Sequence, residues 1–351
     1  MKNFTAIQYL RGLAAAMVVA YHVGVPLQRL GYQVQWPQML ASGVDIFFVI
    51  SGFIMLVTTR AGSVTTLQFW KKRIIRIVPM YWLITGLMVS ILILIPSVIQ
   101  TAVFDVNHVV SSFLFIPWEN PARHTMEPVV FAGWTLNYEM YFYLAFGLCL
   151  MLRPALRTPV MALFFVTTRV VGNLVDFPPL TVLGFYSSGI CWEFGYGMVL
   201  GEIVMRQGGR VPWSGSLSLF LLALGIAAQI ALPDMPSRDL RYGLSSCLIV
   251  AGALGIEEAG WLPKLKLLRK LGDASYSIYL SQLISMAAFL QLWRHVPLLS
   301  GVVGLSLFAA CDVAAALACG WLCYRFVEKP LLDVFARKAR SRQPAMVAAD
   351  S

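Results

Sequence analysis

Two side chains in the first apolar stretch are of types that do chemistry and that a membrane helix carries only at a cost. In YLRGLAAAMVVAYHV, ten residues separate Arg11 from His22. An imidazole can take a proton near neutral pH, whereas a guanidinium stays charged and binds carboxylate or phosphate. An Arg at the centre of a membrane helix costs about 2.5–3.5 kcal/mol on insertion scales, so it faces a partner or a wet cavity. Eleven steps of 100° come to about 1100°, or three turns and ~20°, with a rise of ~16 Å. Arg11 and His22 therefore share one helix face, Arg11 near mid-membrane or below and His22 near the outer surface. Gly12, Ala14, Ala15 and Ala16 lie between them, and small residues let a neighbouring helix approach closely.

Three further segments carry charge where apolar residues prevail. GVDIFFVISGFIM places Asp45 at the start of a second span, at the membrane level of His22. A carboxylate there can orient an imidazole, as in a hydrolase triad, or pair with an Arg, and the sequence leaves both roles open. FWKKRIIRIVPMYW carries Arg73 and Arg76 three residues apart on one helix face. Lys71 and Lys72 read as charges that anchor the cytoplasmic side, while the two arginines suit bidentate contact with a phosphate-bearing donor from the cytosol. GWTLNYEMYFYL sets Glu139 among Trp134, Tyr138, Tyr141 and Tyr143. Aromatic belts are ordinary at a membrane interface, but a carboxylate within one is less so. Glu139 could orient a sugar hydroxyl or balance Arg11 or His22, with Trp134, Tyr138 and Tyr141 as carbohydrate contacts.

These residues must be held by membrane helices. The chain has 351 residues, 58% hydrophobic and 13% charged, about half the charge usual in soluble domains. Apolar runs near twenty residues recur from end to end, each about long enough to cross a ~30 Å hydrocarbon core. The ~10-residue alternating segments of a membrane β-barrel are absent. Ten segments are drawn, at 6–24, 40–58, 78–96, 131–151, 158–173, 181–204, 215–232, 242–259, 274–292 and 301–324. The fold expected is an all-α integral membrane protein of about ten transmembrane helices. One membrane-embedded domain spans 1–330, and a basic, mobile cytoplasmic tail follows at 331–351.

Charge sets the orientation. With the N-terminus inside, twenty of the 27 Lys and Arg residues fall on the cytoplasmic side and six outside, with Arg11 in the first span. Both termini are then cytoplasmic. The net charge of +10 reads as topology and attraction to anionic lipid rather than nucleic-acid binding. Arg11 interrupts the apolar run that a cleaved signal peptide would need, and no cleavage site follows. The six cysteines lie in apolar segments without metal-type spacing. The loop at 97–130 holds His108, Glu119, His124 and Glu127 at irregular spacing, which favours a part of an acceptor site over a metal site. A polytopic transporter or flippase for a polar lipid or glycan would also carry intramembrane charge, but the chain shows no inverted repeat.

Six motifs in order resemble those of the membrane acyltransferase-3 group of bacterial O-acyltransferases. They are Arg11 with ten residues to His22, GVDIFFVISG at 43–52, RIIRIVPMYW at 73–82, WTLNYEMYFY at 134–143, LGDASYSIYLSQ at 271–282 and VEKP at 327–330. They cover about residues 5 to 330, and the WTLNYE variant with the compact length is most similar to the exopolysaccharide O-acetyltransferase branch. The resemblance implies ten membrane helices in a bacterial inner membrane. It also implies acetyl-CoA as the donor substrate, no metal, and a polysaccharide or lipid-linked oligosaccharide acceptor on the outer side. Carried over residue by residue, it makes His22 and Arg11 essential and sets Arg73 and Arg76 near the donor. Asp45 or Glu139 would orient His22. One position departs from the pattern, since many relatives have His where this chain has Gln282.

Overall fold

The computed structural model describes residues 4–33, 35–60, 62, 64–95, 103–231, 237–295 and 301–341. These form helices without a named strand, which is how a chain in lipid satisfies its backbone polar groups. In chain order they are α1 (Thr5–His22), α2 (Gly24–Arg29), α3 (Gly43–Thr59), α4 (Thr66–Leu94), α5 (Val106–Phe113), α6 (Gly133–Cys149) and α7 (Pro154–Val175). Then come α8 (Val182–Tyr186), α9 (Trp192–Arg206), α10 (Gly215–Ala231), α11 (Leu244–Glu258), α12 (Lys266–Trp293), α13 (Gly301–Cys323) and α14 (Lys329–Ser341). Single π-helical turns, Asp239–Gly243 and Tyr324–Glu328, lead into α11 and α14.

Six helical runs are long and apolar enough to cross a membrane: Thr5–Arg29, Gln38–Thr59, Thr66–Leu94, Pro154–Val175, Asp239–Glu258 and Val303–Arg337. The other four segments drawn from the sequence also fall on helix. Of these, α6, α9 and α10 have 17, 15 and 17 residues, or ~23–26 Å at 1.5 Å per residue. The fourth, α12, is long, but its apolar portion is rich in Ser, Tyr and Gln. Helix α14 extends to Ser341, past the domain end drawn at 330. Residues 342–351 of the drawn tail, 97–102 of the drawn loop and Lys2 lie outside the described residues.

Close packing of α1 follows from its small residues. Its largest interface is with α12, and α3 lies on another side. A Cβ on Gly12 would meet the Leu268 carbonyl of α12 at 2.5 Å, and one on Gly272 would meet the Gln8 backbone. The α3–α9 pair is as tight, since a Cβ on Gly52 would strike the Phe194 backbone and one on Gly197 that of Val49. The N-terminus of α1 is capped from a distance. The Glu257 carboxylate accepts from the N–H groups of Thr5 (2.8 Å) and Ala6 (2.9 Å), which otherwise lack intrahelical partners. Helix α4 starts with a capping box between Thr65 and Gln68. Apolar side chains such as Ile93, Leu163, Leu174, Phe220 and Val303 point away from the bundle, a surface suited to lipid.

Candidate active site

Arg11 lies on the face of α1 turned to α12, where its Nη2 donates to Ser275 Oγ at 3.0 Å. The charges of Arg76, Glu328 and Glu139 act on it. Together with Arg73, Arg76 and Glu139 it lines a cavity of about 570 Å³, so four site residues chosen from the sequence share one space. Arg76 pairs with Glu328, whose other oxygen accepts from Ser277 Oγ at 2.5 Å. The Arg76 guanidinium also lies 5.7 Å from the centre of the Tyr276 ring. Arg73 is set against the rings of Phe69 and Tyr143 at 5.6 and 5.9 Å, contacts that hold a cation without neutralising it. Glu139 accepts from Tyr143 OH and from Ser51 Oγ (3.3 Å). Arg269 at the start of α12 lines the same cavity.

His22 ends α1 and lines a second, smaller cavity of about 270 Å³. Its Nδ1 lies 2.9 Å from the Val18 carbonyl. A carbonyl only accepts, so Nδ1 carries the proton and Nε2 is the basic atom of the neutral ring. Phe131 packs edge-on against the imidazole at 5.8 Å and Tyr21 at 5.3 Å. Gln282, fully buried on α12, has its side chain on the same ring. Thr125, Met126 and Glu127 close this cavity from the loop after α5. An isolated bridge between Glu119 and Met126 shapes that loop. Val44 lines both cavities.

Asp45 does not hydrogen-bond His22. Of the two roles left open by the sequence, the structure has the pairing with an arginine. Arg238 Nε donates to Oδ1 at 3.0 Å and Nη2 to Oδ2 at 2.6 Å, and the carboxyl of Glu193 lies against Asp45. The aromatic residues of α6 separate by helix phase. Thr135, Glu139 and Tyr143, spaced four apart, face the large cavity, and Trp134 lines the small one. Tyr138 and Tyr141 line neither. They stack on Phe185 and Tyr186, each at 4.2 Å, and Tyr138 OH donates to the Phe185 carbonyl at 2.7 Å.

The sequence singles out neither Arg238 nor Glu193, and it carries Glu328 only as a letter of the VEKP motif. For Glu193 a signal existed, a carboxylate inside an apolar segment, which is the criterion that singled out Arg11. Arg238 lies in a connecting segment, where a charge is ordinary and signals nothing beyond topology. Among the described residues no group of three or more His, Cys, Asp or Glu could hold a metal ion.

Comparison with known proteins bears on what this arrangement is for. An acyltransferase domain family, acyltransferase-3, matches residues 4–325. The chain is similar to the exopolysaccharide production protein ExoZ of Rhizobium meliloti, with 37% identity over 306 residues, 86% of this chain and 92% of ExoZ. It is also similar to the O-acetyltransferase OatA of Staphylococcus aureus, with 28% identity over 182 residues, 47% of this chain and 28% of OatA. No solved structure matches.

Proposed function

Since the chain belongs to the acyltransferase-3 family and is an O-acyltransferase, we propose that it moves an acetyl or other short acyl group from cytosolic acyl-CoA to a polysaccharide hydroxyl across the bacterial inner membrane. The acceptor is an extracytoplasmic or lipid-linked polysaccharide. Similarity to ExoZ over 86% of this chain and 92% of ExoZ favours an exopolysaccharide. In this reading the chain crosses ten times with both termini cytoplasmic. The alternation of Lys- and Arg-rich loops supports that count.

The observation that carries the reading is the pair of cavities on either side of Val44, one with Arg11, Arg73 and Arg76 and the other with His22. Coenzyme A phosphates sit on Arg73 and Arg76, and the pantetheine arm runs past Arg11 and Val44 toward His22. The acceptor hydroxyl enters from the far side, between Trp134 and the loop at Thr125–Glu127. His22 Nε2 removes its proton as the hydroxyl oxygen bonds to the acyl carbon. Collapse of the tetrahedral intermediate re-forms the carbonyl and expels the CoA thiolate, which takes the proton back from His22. Glu139 balances Arg11 and Arg73, and the Asp45–Arg238 pair serves the His22 cavity.

The test is the O-acetyl content of surface polysaccharide, read by NMR in a deletion strain complemented with wild type or His22→Ala. Acetyl signals lost on deletion and restored only by wild type are expected. Signals restored by His22→Ala would remove His22 from the reaction.

A further inference from the structure

Acyl transfer from a thioester needs a donor for the carbonyl oxygen as it gains negative charge, and the reading above leaves that role unassigned. Several observations converge on one side chain. Arg238 lines the cavity of His22 and is the one cation among its described lining residues. Its plane is fixed by two parallel hydrogen bonds to Asp45 (3.0 and 2.6 Å), by Nη2 on the Ala41 carbonyl (3.2 Å) and by the Tyr242 ring (5.5 Å). Asp45 itself has no solvent exposure while the Arg238 side chain is 36% exposed, so the fork is anchored from its buried, Asp45 side. These bonds use Nε and Nη2. Among the described residues none is made by Nη1, which carries two N–H donors.

We propose that Arg238, through Nη1, is the catalytic residue that binds the acyl carbonyl oxygen as it becomes an oxyanion at His22. The inference rests on the acyl-transfer reading above. A guanidinium already oriented by its partners needs little rearrangement when charge develops, the preorganisation that makes such a donor effective. As the acceptor oxygen bonds to the acyl carbon, its proton passes to His22 Nε2 and the carbonyl electron pair moves onto oxygen, where Nη1 meets it. The pair returns as the thiolate leaves. Arg238 stays protonated throughout, and Asp45 supplies orientation. A bare structural tie between α3 and the turn before α11 would place the same bonds but would have no effect on turnover in a folded protein.

The experiment uses the full chain in lipid nanodiscs, with acetyl-CoA and the strain's own exopolysaccharide de-O-acetylated by mild alkali. Wild type, Arg238→Gln, Arg238→Lys and His22→Ala are compared for thermal unfolding, acetyl-CoA binding and the separate kcat and KM values. Folded Arg238→Gln and Arg238→Lys should bind acetyl-CoA within about threefold of wild type and lose ~10²–10³ in kcat, as on removal of an oxyanion donor. A folded variant with kcat within threefold of wild type overturns the assignment. So does a loss confined to acceptor KM, which would make Arg238 an acceptor-binding group. If neither Arg238 variant folds, Asp45→Asn is read by the same numbers, since it keeps the guanidinium but loosens its plane. Its kcat should fall with KM unchanged, and an unchanged kcat overturns the assignment. Activity retained by His22→Ala, or absent from wild type, would instead count against the acyl-transfer reading itself.

Discussion

Arg76 on α4 and Glu328 on the π-helical turn before α14 form an ion pair across 252 residues of sequence. It joins the cavity-lining arginines of α4 to the last segment of the bundle. Glu328 is almost wholly buried and also holds Ser277 of α12, so one carboxylate ties three elements together. Glu328→Gln keeps a hydrogen-bonding side chain but removes the charge. The expected cost is about 1.5–3 kcal/mol, the range for a hydrogen bond to a charged group, read as a lower unfolding temperature, together with a raised KM for acetyl-CoA. An unchanged KM would leave Glu328 a purely structural residue.

Arg73 and Arg76 differ in their surroundings but are assigned the same ligand. Arg76 is neutralised by Glu328, while Arg73 rests on the rings of Phe69 and Tyr143. If both meet donor phosphates, Arg73→Ala and Arg76→Ala should weaken acetyl-CoA binding by roughly tenfold each, about 1.4 kcal/mol. The variant that loses the 3′-phosphate contact should also stop distinguishing acetyl-CoA from its 3′-dephospho analogue. Titration calorimetry with both ligands checks this. Equal affinity of wild type for the two would take the 3′-phosphate out of the account.

His22→Ala should leave α1 in place, because the contact of the imidazole with the Val18 carbonyl lies within its own helix turn and alanine is a good helix former. Acyl transfer should fall by ~10²–10⁴, the usual contribution of a positioned general base. His22→Gln keeps a polar side chain without a basic nitrogen and should be as inactive. CoA release from acetyl-CoA, with unfolding temperature as the control, gives the answer.

Helices α3 and α9 meet through glycine. A Cβ on Gly197 would come within 2.8 Å of the Phe53 backbone nitrogen, with the Val49 carbonyl nearer still. Gly197→Ala must therefore push the helices apart, at a cost of about 1–3 kcal/mol for overpacking. Gly86, whose Cβ would meet nothing within 4 Å, is the control and should tolerate alanine. Thermal unfolding of the two variants in one detergent compares them, and equal stability would contradict the close packing.

The ten-crossing reading puts the loop at residues 119–127 outside and the stretch at 259–265 inside. In a cysteine-free background, His124→Cys should react with a membrane-impermeant maleimide in intact cells. Lys264→Cys should react only after lysis. Both residues are exposed, so access rather than burial decides the result, and the reverse pattern would invert the topology.

Much of this protein follows from local sequence. Apolar length dictates helices because backbone groups in lipid have no other partners. The described residues of the ten drawn segments are mostly helical, although 181–204 is broken between α8 and α9. The spacing of Arg11 and His22 sets them along one helix because the rise and turn per residue are fixed. The family motifs carried the chemistry. Helix phase could have separated Thr135, Glu139 and Tyr143 from Tyr138 and Tyr141, but it could not say which face met a cavity. That depends on which helices pack against α6. Likewise, an isolated carboxylate in a membrane helix demands a partner without naming one. Asp45 could have met His22 or an arginine; it meets Arg238, 193 residues away. Glu328 was legible as a motif letter, and its hold on Arg76 and Ser277 was not. Such pairings depend on how the helices pack, and close contacts at Gly12, Gly52 and Gly272 are part of that packing. These fix how far and at what rotation each helix faces the next, and that information resides in the packed bundle, not in any one segment.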